Sequence, residues 1–200
     1  MTDRWAVTLP SSNVPLLFEP ADPDAHALLL YDWLHRLHVA PWWGPDRSVE
    51  ETRAYIARQA ASGHLVPWVV SHGTDQPVPF GYVETYRPAD DPLAEWFPVE
   101  PTDRGWHVLV GPQEVLGTGL PRLMGRAVLA YLFAEPGIDR VICEPNELNS
   151  RMVAYCEALG YQPVAAVDLP TKRAQIMACS RDRFAQRWPG DLDALARADG

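Results

Sequence analysis

Apolar residues in this chain follow two spacings, and the switches between them mark out its elements. Ala27, Leu30, Tyr31, Leu34 and Leu37 recur every three or four positions, so Pro23 to Leu37 reads as a helix with one buried face. Ser48, with Glu51 three positions on, forms a capping box that opens a second helix running to about Ala61. Val66 to Ser71 and Phe80 to Tyr86 are dense in Val, Tyr and Phe and flank His72-Gly73-Thr74-Asp75, which predicts an antiparallel pair. A strand over 105 to 111 leads into a glycine turn. The helix that follows runs to Phe133, with Leu120, Leu123, Met124, Ala127, Val128, Tyr131 and Leu132 along one stripe. Arg140 to Glu144 reads as a strand and Asn149 to Leu159 as a helix stopped by Gly160. Pro163 to Val167 and Arg173 to Cys179 are the final strands.

The other segments have neither period. Residues 1 to about 20, with Pro10, Pro15 and Pro20, read as an arm or an edge strand, and the acidic, alanine-rich stretch from about 186 as a loosely held tail. Arg87 to Thr102 is a loop with four prolines and four acids around Trp96-Phe97, and loops of that length in a compact domain are usually functional. The order predicts an α/β chain with a mixed sheet, in one domain of 200 residues without a linker.

A formal charge of −9 argues against nucleic acid or an anionic membrane as the main partner. Cys143, Cys156 and Cys179 are odd in number and widely spaced, so they read as reduced, buried thiols of a cytoplasmic protein and not as a disulfide framework or metal cluster. No basic segment leads into an apolar signal region, and no run approaches the roughly 18 apolar residues of a membrane span.

Candidate chemistry centres on Gly105-Trp106-His107-Val108-Leu109-Val110-Gly111 and on Leu116-Gly117-Thr118-Gly119-Leu120. Glycines between a strand and a helix let main-chain amides approach a ligand, and the helix's first-turn amides and positive dipole end point at the same spot. Such a turn binds an anion such as a diphosphate.

The element order over roughly residues 20 to 180, and above all the segment from 105 to 161, resembles the GNAT acyltransferase fold, a mixed and mostly antiparallel sheet flanked by helices. In that family the turn cradles the acyl-CoA diphosphate. Here Glu114-Val115-Leu116-Gly117-Thr118-Gly119 matches it, with an acid where Gln or Arg is usual. The resemblance makes Leu109, Val110, Leu116, Gly117, Thr118, Gly119, Leu120 and Asn149 the cofactor-binding residues. It implies acetyl-CoA or succinyl-CoA as co-substrate and no metal.

Gly81-Tyr82-Val83-Glu84-Thr85-Tyr86, the Gly-Trp-His strand, Glu144-Pro145 and Asn149 resemble the siderophore-assembly branch, which acylates N-hydroxylated or side-chain amines of lysine, ornithine or a diamine. In that branch a histidine on the family's fourth strand and an acid after the fifth are the proposed catalytic groups. His107 and Glu144 hold those places, with His107 the expected proton acceptor, Glu144 its orienter, and a main-chain N–H near Leu109 for the thioester oxygen. Glu84, which by default faces solvent, and Trp106 are the candidate substrate contacts. One or two of Trp42, Trp43, Trp96 and Trp106 are expected to wall a substrate channel. Cys156 stands four residues before Gly160, where many GNAT enzymes carry a tyrosine acid, and Tyr155 is one position off. Arg104, Arg122 and Arg151 are candidates for a substrate carboxylate or the CoA phosphates. The implied partners are a small N-hydroxy amine, acyl-CoA and siderophore synthetase enzymes, with no nucleic acid and no membrane.

Two alternatives stand beside this reading. Tyr31 to Val39 with Trp42-Trp43-Gly44 is similar to aminoglycoside 6′-N-acetyltransferases, from which His107 departs because those enzymes carry an acid there. A non-catalytic acyl-CoA-binding module is the other.

Overall fold

The computed structural model describes residues 4–44 and 46–196. Eight strands, β1 (Trp5–Val7), β2 (Leu16–Pro20), β3 (Leu65–His72), β4 (Val78–Tyr86), β5 (Arg104–Val110), β6 (Arg140–Cys143), β7 (Gln162–Leu169) and β8 (Lys172–Ser180), form one sheet in the order β1-β2-β3-β4-β5-β6-β8-β7. Every neighbouring pair is antiparallel except β5 and β6. That parallel pair is short, with only Arg104 opposite Val141 and Gly105 opposite Ile142. Beyond it the strands diverge, and the wedge between them holds the candidate site.

Helices cover both faces. α1 (Pro23–Leu34) and α2 (Val49–Ala61) enclose a cluster of Leu30, Trp33, Ile56, Val69, Tyr82 and Leu109. On the other face α3 (Leu120–Ala134) and α4 (Ser150–Leu159) pack Met124, Val128, Phe133 and Leu159 on Trp68, Phe80 and Trp106. Among the described residues, no helix is long and apolar enough to cross a membrane.

Two sequence expectations need correction. The first helix stops at Leu34, not Leu37, and Leu37 is 93% exposed. His35 Nδ1 lies 2.7 Å from Tyr31 O, while the Arg36 guanidinium donates to Gly111 O at 3.1 Å and His38 Nε2 donates to Val110 O at 2.9 Å. The last two bonds lash the segment to the end of β5 and override the apolar period.

Of the two readings of the N-terminal segment, its described part takes the edge strand: β1 closes one edge of the sheet, and Trp5 stacks between Phe18 and Tyr131 at 3.9 and 4.7 Å. The described part of the C-terminal stretch is docked and not loose. α5 (Arg181–Arg187) and α6 (Asp191–Ala196) follow β8, and the buried Asp191 carboxylate accepts two hydrogen bonds from the Arg126 guanidinium at 2.7 and 2.8 Å. Residues 1–3 and 197–200 lie outside the described residues.

Candidate active site

The register of β4 on β5 assembles the site. Side chains alternate across a strand, so Tyr82, Glu84 and Tyr86 share one face and lie opposite Leu109, His107 and Gly105. Gly105 is required, because a Cβ there would stand 2.4 Å from the Tyr86 ring. The open position lets that ring stack on His107, with centroids 4.7 Å apart. From the far side of the wedge Glu144, just past β6, meets the same histidine.

His107 is thereby held between two carboxylates. Its Nε2 lies 2.7 Å from Glu144 Oε1 and its Nδ1 3.2 Å from Glu84 Oε2. The carboxylates are fixed in turn: Tyr55 and Tyr82 donate their hydroxyls to Glu84 Oε1, and Tyr86 donates to Glu144 Oε2 at 2.8 Å. Glu84 is 2% exposed and does not face solvent. Lys172 Nζ stands 3.6 Å from Glu144 Oε1.

Burial disfavours a charged ring at His107, yet the charge of Glu144 and hydrogen bonds to both carboxylates outweigh it and raise its pKa to about 10. Burial likewise works against a charged Glu144, but the imidazolium, Lys172 and the Tyr86 hydroxyl hold its pKa down at about 2. Desolvation first, and then Glu84 or Glu144, push the Tyr55, Tyr82 and Tyr86 hydroxyls up, so all three are neutral donors. At neutral pH the ring is therefore a cation with both nitrogens engaged. It is not the free base that an unperturbed histidine would supply.

A stability prediction follows. The His107 contribution is complete below its ordinary value of 6.5 and is lost as pH rises through about 10. The Glu144 contribution is complete above 4.5 and is lost as pH falls through about 2. The excess stability of wild type over His107→Gln, read from urea midpoints, is therefore largest between pH 4.5 and 6.5 and shrinks above that window. A gap independent of pH to beyond 10 would show that the ring is neutral in the fold.

Two adjoining cavities meet at this site. One of about 660 Å³ is walled by Trp43, Tyr55, Glu84, Asp91, His107, Glu144 and Lys172, among others. The other, of about 590 Å³, lies between Val108–Val110, Leu116, Gly117 and Pro121 on one side and Asn149–Met152 on the other. Trp42, Trp43, Val108, Asn149 and Met152 line both.

The second cavity opens on the glycine turn. Gly117 and Gly119 have φ of 81° and 90°, in open space, so it is the left-handed backbone and not crowding that calls for glycine. α1, α2, α4 and α5 are each capped by a side chain, from Asp22, Ser48, Asn149 and Ser180. α3 begins at Gly119 without one; Leu120 N–H bonds the Thr118 hydroxyl at 3.3 Å and Pro121 has no N–H, so the Arg122 amide and the dipole end are what the first turn offers an anion. Arg151 adds a cation to that wall, whereas Arg104 is committed to Glu135.

Of the residues expected at the turn, Leu109, Val110, Leu116, Gly117 and Asn149 line this cavity, while Thr118, Gly119 and Leu120 carry the chain into α3. Asn149 is also the N-cap of α4, accepting from Met152 N–H at 3.1 Å. Gly111 N–H donates to Phe80 O, so by alternation His107 and Leu109 turn their amides toward β4 and Val108 and Val110 turn theirs into the wedge. The main-chain donor expected near Leu109 therefore falls to Val108 or Val110.

Trp106, the other expected substrate contact, is among the residues lining the larger cavity. Its side chain is buried on the α3/α4 face and its Nε1–H donates to Tyr161 at 2.6 Å. Trp43 also lines that cavity, edge-on to both Tyr82 and His107. Cys156 is fully buried against Cys143, and the Tyr155 hydroxyl donates to Pro121 O at 2.7 Å, so neither stands ready as an acid. Tyr82 and Tyr86 lay in the quoted segment around Glu84 without a role of their own, Tyr55 and Lys172 had no motif to announce them, and only the pairing of distant elements brings the four together.

Residues 22–169 match the family described as Acetyltransferase (GNAT) domain. The N(6)-hydroxylysine O-acetyltransferase of Escherichia coli is 32% identical over 170 residues, covering 84% of this chain and 53% of the relative, so the chain spans about half that protein's length. The N-hydroxyputrescine acetyltransferase of Acinetobacter baumannii is 28% identical over 160 residues, covering 80% of this chain and 74% of the relative. Among solved structures, the aminoglycoside acetyltransferase AAC(6′)-Ib in complex with coenzyme A superposes with a TM-score of 0.75 at 24% identity, covering 86% of this chain and 98% of that one, a likeness of fold. With its glycine turn, its splayed β5 and β6 and a family match over most of its length, the chain belongs to the GNAT acetyltransferase family.

Proposed function

We propose that this chain is an acyl-CoA-dependent N-acyltransferase that converts the hydroxylamine, or a side-chain amine, of an N-hydroxylated lysine, ornithine or diamine to its acyl derivative, forming a hydroxamate for siderophore assembly. The observation that carries this reading is the Glu84–His107–Glu144 relay, open to one cavity of acceptor size and joined to a second at the glycine turn. The E. coli and A. baumannii relatives, whose names specify N-hydroxylated amines, support it.

Acyl-CoA, when bound, supplies an activated acyl carbon. The uncapped start of α3, Gly117 and Arg151 are the groups suited to its phosphates, and the wedge-facing amides of Val108 and Val110 to its carbonyl oxygen. A hydroxylamine nitrogen is far less basic than an alkylamine, with its pKa near 10.4, and arrives neutral. The site therefore needs orientation more than a strong base. Because the imidazolium cannot take a second proton, the proton shed by the attacking nitrogen goes to the cavity-lining carboxylate of Glu144, which His107 keeps ionised and fixed, and passes from there to the thiolate released as the C–S bond breaks.

Thiol release tests this directly. Acetyl-CoA and succinyl-CoA are offered with N-hydroxylysine, N-hydroxyornithine and N-hydroxycadaverine, beside their parent amines and kanamycin. Turnover concentrated on the hydroxylamines is expected, with products that chelate iron(III) as N-acyl hydroxamates do and O-acyl products do not. Preferred turnover of kanamycin would replace this reading with the aminoglycoside one, and CoA binding without turnover would leave a binding module.

A further inference from the structure

Lys172 is the only lysine in the chain, and it begins β8 at the hairpin where Leu169 of β7 pairs with it. The loop after Glu144 is zipped to the same strand. Gln175 N–H donates to Pro145 O at 2.9 Å, Glu147 N–H donates to Arg173 O at 3.0 Å, and Asn146 bridges to Ala174. These bonds fix the lysine beside Glu144 and place its side chain on the wall of the acceptor cavity.

The 3.6 Å from Nζ to Glu144 Oε1 is ion-pair contact but too long for a hydrogen bond. Among the described residues Nζ has no hydrogen-bond acceptor, although an ammonium carries three donors. Its charge is balanced while its donors are unused, which suits a neutral ligand that presents an oxygen.

We propose that Lys172 donates a hydrogen bond to the N-hydroxyl oxygen of the acceptor and so selects hydroxylamines over the parent amines. This rests on the hydroxylamine reading above. A parent amine arrives as an ammonium and meets two cations, His107 and Lys172, whose carboxylate partners Glu84 and Glu144 are already engaged. The other charged group of the wall is Asp91, one oxygen of which accepts from Leu93 N–H. A hydroxylamine brings no charge and supplies the missing acceptor. The Lys172 side chain is 27% exposed, so without a substrate oxygen its donors fall back on solvent, and the selection it gives is the bond the hydroxylamine makes and the parent amine does not.

The test is the ratio of kcat/KM for N-hydroxylysine to that for lysine, in wild type, Lys172→Gln and Lys172→Arg, with circular dichroism to show that each variant is folded. Wild type is expected to favour the hydroxylamine. Gln should shrink the ratio by about ten- to a hundredfold, chiefly through KM for the hydroxylamine, and Arg should restore much of it. An equal fall for both substrates in Lys172→Gln, with the ratio kept, would overturn the inference and leave Lys172 as a prop for Glu144. Wild type silent on every hydroxylamine would overturn the functional reading and this inference together.

Discussion

Glu144→Gln is expected to lower kcat by roughly 10²–10⁴-fold while the dissociation constant for coenzyme A stays near that of wild type. The amide keeps the shape of the carboxylate and can still accept from Tyr86, but it cannot take the substrate proton. It also removes the charge that does most to hold His107 as an imidazolium. His107→Ala should lose turnover to a similar extent, because both carboxylates then lose the group that bridges them. The glycine turn, built from Gly117, Gly119 and the start of α3, touches neither residue, so affinity for CoA is insulated from both changes. Kinetics read beside calorimetric titration of CoA check this. A parallel loss of CoA affinity, or of the fold, would mean that the relay is a packing device.

The second large effect lies away from the site. Asp191→Ala is expected to destabilise the chain by about 3–5 kcal/mol, because it leaves the Arg126 guanidinium buried without its counter-charge. Both residues are buried, with Asp191 at 0% exposure, and Arg126 also lies over the Trp188 ring at 4.2 Å. Adding Arg126→Leu to Asp191→Ala should recover much of the loss, since the cost is an orphaned charge more than a lost contact. Urea denaturation of the single and double variants measures both. A loss below about 1 kcal/mol for Asp191→Ala would place the pair in solvent and return the C-terminal stretch to a loose tail.

That tail shows where sequence pattern falls short. Its alanines and acids carry no strong apolar period, and beside Trp188, Leu192 and Leu195 on the core it is anchored by a charge whose partner lies 65 residues away, beyond the reach of any local rule. The same limit hid most of the site's supports. Ser48 with Glu51, Gly119 before α3 and Asn149 before α4 are local signals, and the chain obeys them. His107 and Glu144 were legible through a family pattern on a strand and its following turn. Glu84 was legible as a candidate but not as a buried hub, because solvent and interior faces of β4 cannot be told apart until α2 brings Tyr55 down on it. Trp106 lines the acceptor cavity, but the burial of its ring was not legible. It adjoins the histidine in sequence, and strand alternation sends it to the other face of the sheet.

The central claim is that this site acylates a hydroxylamine nitrogen, and a one-pot competition tests it most directly. Wild-type protein is given limiting acetyl-CoA with equal amounts of N-hydroxylysine, lysine and kanamycin, and the products are identified by mass spectrometry and iron(III) binding. Nearly all the acetyl group is expected as the hydroxamate of N-hydroxylysine. Acetyl recovered mainly on lysine or on kanamycin would contradict it.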